Sequence, residues 1–219
     1  MSKFKTEKCG RLSYQVGLSK QEALFNSILH NKKEGIAKNQ NTLLLVEHNP
    51  VYTLGKSGNL ENLKRQPKEV GAEFFKTSRG GDITYHGPGQ ITGYPIFDLE
   101  LFDVGLAKYI WNLEEAIIKT IAEFGLEGSR IKTASGVWLD GDNDKARKIC
   151  AIGVKASRYV TMHGFAFNVN TDLSYYEHII PCGIEDKGVT SLAHELKKPQ
   201  DFDAIQHLVA SKFEMIFSQ

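Results

Sequence analysis

Cysteine is scarce in this chain. Its 219 residues hold three, Cys9, Cys150 and Cys182. That is too few for a disulfide framework, and none pairs at the C-x-x-C spacing of zinc or redox dithiols. The seven histidines show no H-E-x-x-H or comparable ligand spacing, so no metal is expected. Charge of one sign is missing as well. There are 27 basic and 26 acidic residues, a formal net charge of +1, and no basic stripe of the kind that nucleic-acid binding needs. No apolar run approaches the ~20 residues that span a bilayer, and Met1-Ser2-Lys3-Phe4-Lys5 lacks the apolar core of a signal peptide. Neither G-x-x-x-x-G-K-[ST] nor G-x-G-x-x-G occurs as a phosphate cradle. Repeats, low-complexity tracts and linkers are absent. These absences lead to a cytoplasmic protein with no nucleic-acid or membrane partner and a single domain over residues 1–219.

What the chain does have is a dense stretch, Arg79-Gly80-Gly81-Asp82-Ile83-Thr84-Tyr85-His86-Gly87-Pro88-Gly89-Gln90. Four of the 20 glycines and one of the six prolines fall in these twelve residues. Glycine lets backbone amides approach a ligand or take positive φ, and proline stiffens the segment. A surface turn is the plain alternative. Strand-like flanks at 73–77 and 94–99 favour the floor of a site, because function concentrates on loops held by rigid elements.

Around it, residues 11–16, 42–48, 51–55, 136–139, 148–157 and 161–170 read as strands. A helix is expected over Leu18–Ala37, with Ser19 and Glu22 as a capping box. A second is expected over Val104–Phe124, where Ile110, Leu113, Ile117 and Ile121 recur at three and four. Others are expected over 189–196 and, capped by Asp201, over 202–217. Strands outnumber clean β-α-β alternations, so the fold class is α+β rather than doubly wound.

Two thiols compete as nucleophile. Pro181 and Gly183 set Cys182 on a stiff turn with free amides beside it, a geometry suited to an oxyanion site; a buried apolar cysteine is the equal alternative. Cys150, in Ile149-Cys150-Ala151-Ile152, reads as buried. A thiol near pKa ~8.5 is only a few per cent thiolate at neutral pH, so a nucleophilic cysteine needs a cation or base. His86, His163 and His178 are available. Lys148 is two residues from Cys150, which places both on one face of a regular strand.

Taken together, Arg79-Gly80-Gly81 with Thr84, His86-Gly87-Pro88-Gly89-Gln90, Arg147-Lys148-Ile149 leading to Ala151-Ile152-Gly153, His163-Gly164-Phe165-Ala166 with Asn168, and Pro181-Cys182-Gly183-Ile184 resemble the octanoyltransferases of lipoate biosynthesis. The likeness runs in order over about residues 40–195. It implies the fold of the lipoate and biotin protein ligase catalytic domain, a mixed sheet flanked by helices. It further implies transfer of octanoyl from octanoyl-acyl carrier protein to lipoyl domains, those of 2-oxoacid dehydrogenase E2 subunits and of the glycine cleavage H protein. No cofactor is implied. By this resemblance Cys182 is the acyl-thioester nucleophile and Lys148 tunes its pKa; such a lysine can serve as general acid and then as general base. Arg79, Gly80, Gly81, Asp82, Ile83, Thr84, Tyr85, His86, Ala151, Ile152, Gly153, Gly164, Phe165 and Ala166 are the implied acyl-site residues. The rival readings are an ATP-dependent lipoate or octanoate ligase, a lipoyl-domain amidotransferase, and a non-catalytic acyl-carrier binding module.

Overall fold

In the computed structural model, which describes residues 2–181 and 187–218, the first helix starts earlier than its sequence pattern indicates. Helix α1 runs Tyr14–Lys33. Its cap is Ser13, whose hydroxyl accepts from the Val16 amide at 3.4 Å, and Ser19 lies inside the helix. Gly17 masks this start, since glycine is a poor helix former. It is needed there because a Cβ at Gly17 would lie 2.7 Å from Cε1 of His48. Helix α2 covers Leu106–Ala122 and buries Leu113, Ile117 and Ile121. The segment expected as one helix over 189–196 splits into a strand at Gly188–Val189 and the short helix α3, Leu192–Leu196. Helix α4, Phe202–Phe217, is capped by Asp201, which accepts from the Ala204 amide at 3.0 Å.

The described strands are β1 (Lys5–Leu12), β2 (Thr42–His48), β3 (Val51–Leu54), β4 (Glu73–Lys76), β5 (Ile83–His86), β6 (Gln90–Ile96), β7 (Ser129–Ile131), β8 (Ala134–Leu139), β9 (Arg147–Ser157), β10 (Val160–Asn168) and β11 (Gly188–Val189). Among the described residues they form a mixed sheet in the order β1-β2-β6-β10-β9-β8-β7, with β11 added to β9, and a small sheet β4-β3-β5. The glycine-rich stretch is therefore not one loop: β5 lies inside it and pairs antiparallel with β3.

Strand β2 is apolar at every position from Leu43 to Val46 because both of its faces are covered. Leu43 and Leu45 face α2 and α4 together with Ile91, Phe165 and Phe167. Leu44 and Val46 face α1 with Phe25, Ile28 and Tyr94. The small sheet packs Tyr52, Leu54, Ile83 and Tyr85 against Tyr176 and Ile179.

One irregularity changes the reading of the large sheet. Val137 pairs with Cys150, but its neighbour Trp138 pairs with Lys148, so Ile149 is an extra residue in β9. A one-residue bulge reverses the facing of everything beyond it. Cys150 goes with Val137 into the α2/α4 core. Lys148 turns to the opposite face with Trp138, its Nζ 4.6 Å from that ring. The shared face expected from the two-residue spacing is thus lost, because the pairing register, not the count of residues, sets direction.

Candidate active site

On the α1 side of the large sheet, the centre of β9 and β10 is floored by small residues. Gly164 pairs with Gly153, and Ala166 with Ala151. With almost no side chain beneath it, a narrow slot of about 40 Å³ remains between this floor, α1 and the small sheet. The segments expected at an acyl site meet here. Arg79, Gly81, Asp82, Ile83, Thr84 and His86 line the slot from one side, and Ala151, Ile152, Gly153, Gly164, Phe165 and Ala166 line it from the other. Gly80 borders an adjoining cavity instead. Tyr85 points away: its ring stacks on Tyr175, 4.5 Å between centroids, because successive residues of β5 alternate between faces. Four further lining residues are Tyr14, Thr92, Tyr94 and His163. Thr92 and Tyr94 stand at period two on β6, a spacing by which the sequence itself marks them as sharing one face.

The glycine-rich turn is held by its own polar groups. Gly55 gives Gly81 room, since a Cβ at Gly55 would come within 2.2 Å of the Gly81 oxygen. The Lys56 and Ser57 amides donate to the Arg79 and Gly81 carbonyls at 2.9 and 3.2 Å. Asp82 accepts from the Ile83 amide at 2.6 Å and the Asn59 amide at 3.2 Å, and also from Asn62. Its carboxylate is occupied in closing the turn.

Arg79 is buried, and its Nη2 donates to the Thr53 carbonyl at 2.6 Å and the Thr53 hydroxyl at 2.9 Å. From there a hydrogen-bonded chain runs under the slot. The Thr53 hydroxyl meets His86 Nε2 at 3.2 Å, and His86 Nδ1 meets Gln90 Oε1 at 2.9 Å. Gln90 Nε2 donates to Asn168 Oδ1 at 2.9 Å, and Asn168 Nδ2 to the Thr190 carbonyl at 3.0 Å. The Thr190 amide donates to the carbonyl of Lys148 at 2.9 Å. Gln90 Nε2 is the donor toward Asn168, so its Oε1 accepts and His86 carries its proton on Nδ1.

The three buried histidines His48, His86 and His163 are neutral near pH 7. Burial, then the charges of His48 and Arg79, pushes His86 down to about 3. Burial and Arg79 likewise push His163 to about 3, and burial takes His48 to about 4. Bases this weak accept few protons near pH 7, and a neutral imidazole does not hold a thiolate. Cys150 is fully buried in the α2/α4 core, and burial pushes its thiol well above the ordinary range, so it is neither reachable nor ionised.

Lys148 is 7% exposed and lines a wider cavity of about 510 Å³ that adjoins the slot across Gly81, Asp82, Ile152 and Gly153. Its backbone is fixed from both sides, by Trp138 of β8 and Val189 of β11. Cys182 lies outside the described residues. The chain before it is tied by the Ile180 amide to the Asn62 carbonyl at 2.8 Å, and the chain after it enters β11 beside Lys148. Among the described residues no group of three His, Cys, Asp or Glu side chains is placed to hold a metal, and no helix is long and apolar enough to cross a membrane.

Residues 13–214 match the family described as the lipoyl protein ligase A/B catalytic domain. A curated relative from Porphyromonas gingivalis, named Octanoyltransferase, is 53% identical over 220 residues; the match takes in 99% of this chain but only 44% of that longer protein. One of the same name from Parabacteroides distasonis is 52% identical over 222 residues and 100% of both chains. Among solved structures, a bipartite lipoate protein ligase from Thermoplasma acidophilum superposes with a TM-score of 0.64 at 12% identity, over 98% of this chain and 83% of its own. A biotin protein ligase from Aquifex aeolicus with biotin and ATP gives 0.56 at 16% identity, over 98% and 70%. At such identities these two speak for the fold alone.

Proposed function

Since the chain belongs to the lipoyl protein ligase A/B catalytic domain family, we propose that it is an acyltransferase. It moves an octanoyl group from octanoyl-acyl carrier protein to the acceptor lysine of lipoyl domains, those of 2-oxoacid dehydrogenase E2 subunits and the glycine cleavage H protein, as the first step of endogenous protein lipoylation. The observation that carries this reading is Lys148, a buried lysine on the slot side of the sheet, beside a floor of glycine and alanine. The relatives of the same name, 52–53% identical, support it.

In the first half-reaction the Cys182 thiolate attacks the octanoyl thioester carbon. The carbon–sulfur bond to the carrier breaks, and Lys148 as ammonium protonates the departing thiolate. In the second, the acceptor amine attacks the Cys182 thioester. Lys148, now a neutral amine, takes the proton lost by nitrogen, and the Cys182 thiolate returns. Thioester exchange is nearly isoenergetic, so no ATP is consumed. The narrow bore over Gly153 and Gly164 suits an unbranched methylene chain. With His86 and His163 neutral and Cys150 inaccessible, Lys148 is the better proton partner at the slot.

Intact-mass measurement after incubation with octanoyl-acyl carrier protein, without ATP, tests the reading. One octanoyl group is expected on the protein, mapping to Cys182, absent in Cys182→Ala and retained in Cys150→Ala. An adduct on Cys150, or modification of a lipoyl domain only when ATP and free octanoate are supplied, would overturn it.

A further inference from the structure

The slot has a neck. Along the outer edge of β9, pairing with β8 ends at Ala151 opposite Gly136. The next bond on that side is the Gly80 amide to the Val154 carbonyl, 2.9 Å. Between them Ile152 and Gly153 form a window two residues wide, and both residues border the slot and the wider cavity alike. Gly153 leaves little room in the window for a larger residue. A Cβ at Gly153 would stand 3.0 Å from the Gly80 oxygen and 3.1 Å from Arg79 Cδ.

The two spaces differ in chemistry. The slot is walled by the rings of Tyr14 and Tyr94 over the glycine and alanine floor. The outer cavity is lined by the polar residues Ser57, Thr133 and Ser135 and by the apolar Leu106 and Ile110. Its charged lining groups are Lys148 and Asp82, and Asp82 is spent on closing the turn. Such a wall fits an uncharged chain that alternates amides with short alkyl links.

We propose that this outer cavity is the binding site for the amide-bearing thiol arm of the acyl donor, a pantetheine-type chain, with the thioester held at the Ile152–Gly153 window beside Lys148. The inference rests on the acyl-transfer reading above. A donor whose apolar tail fills the slot must direct its sulfur side outward, and the window opens from the slot into this cavity. Hydrogen bonds to the arm then contribute remote binding energy to the acylation step.

Two small donors test it: the octanoyl thioester of pantetheine, and that of mercaptoethanol, which keeps the acyl group and loses both amides. The parent protein is expected to favour the pantetheine thioester by about tenfold or more in kcat/KM for acylation, roughly what one well-made hydrogen bond supplies. Ser135→Trp and, separately, Thr133→Trp place bulk at exposed positions of the cavity wall. Each is expected to bring the ratio between the two donors close to one, with the melting temperature as a check on folding. No preference in the parent overturns the assignment. So does an equal fall for both donors in variants that melt like the parent. If the variants acylate with the parent's preference and slow only transfer to the lipoyl lysine, the cavity serves the acceptor and the assignment also fails. Absence of acyl-protein with both donors would instead remove the acyl-transfer reading itself, and this inference with it.

Discussion

Lys148 is the residue on which the proposed chemistry turns, and two substitutions separate its charge from its proton. Lys148→Arg keeps a cation that cannot be deprotonated at working pH. It is expected to retain a good part of Cys182 acylation yet stall in transfer to the acceptor amine. Lys148→Ala is expected to slow both half-reactions by about 100-fold or more. Single-turnover measurement of each half-reaction distinguishes these, and near-parental rates in Lys148→Ala would return the proton work to another group. At this scale much of the site was readable. Ala151-Ile152-Gly153 and Gly164-Phe165-Ala166 are legible as site segments through the family resemblance, and the floor of Ala151, Gly153, Gly164 and Ala166 exists only once β9 and β10 pair. Tyr14 was not readable as a wall: it belongs to α1, far from the other lining residues in the chain, and tertiary packing alone brings it to the slot.

Among elements, the join between α2 and β8 shapes the strand that carries Lys148. Glu114 is a buried carboxylate of α2 that accepts from the Gly136 amide at 3.0 Å and from Arg130 Nε at 3.0 Å. Gly136 has φ +134°, and a Cβ there would lie 2.5 Å from the Cys150 oxygen and 3.5 Å from Cδ and Cε of Lys148. Glu114→Ala strips the acceptor from a backbone amide and one of two carboxylate partners from the Arg130 guanidinium, which keeps Glu115 at 2.6 Å. A loss of about 1–2 kcal/mol is expected from the unsatisfied amide, with slower acyl transfer as the strand beside Lys148 relaxes. Glu114→Gln keeps an oxygen for Gly136 and should recover part of both. Urea unfolding and transfer rates read the two effects, and parental values in Glu114→Ala would show that the join is idle. The helices α2 and α4 were legible because their three-and-four pattern meets a continuous core. The bulge at Ile149 and strand β5 were not. A bulge is fixed by what the neighbouring strand does, and β5 is four residues embedded among turn formers. Ser19 and Glu22 matched the capping pattern while Ser13 made the actual cap, since local pattern does not know that His48 needs the space at Gly17.

For the molecule as a whole, the neutral cluster His48, His86 and His163 sets a dependence on acid. Their folded-state values, about 4, about 3 and about 3, lie below the ~6.5 of an unfolded histidine. Between these limits the unfolded chain binds more protons, so stability is complete above about pH 6.5 and falls as the pH drops. Three such groups give a slope of at most about 4 kcal/mol per pH unit. Thermal melts between pH 7 and 5 should show the decline, and His48→Asn should make it shallower. A flat profile over that range would mean that the histidines titrate normally. Charge balance and the absence of long apolar runs were legible at this scale, whereas the division into a large and a small sheet depended on pairings distant in sequence. The polar chain beneath the slot has a consequence for the protein's synthesis. Gln21 accepts from the His163 amide, Gly80 reaches Val154, and Asn168 ends on Thr190. A growing chain that has passed Gln90 already contains the whole glycine-rich stretch, yet the bonds that fix it await partners translated as much as a hundred residues later. On the ribosome the slot is among the last parts of the protein to acquire a shape, and a nascent chain stopped short of Thr190 carries the motif without the site.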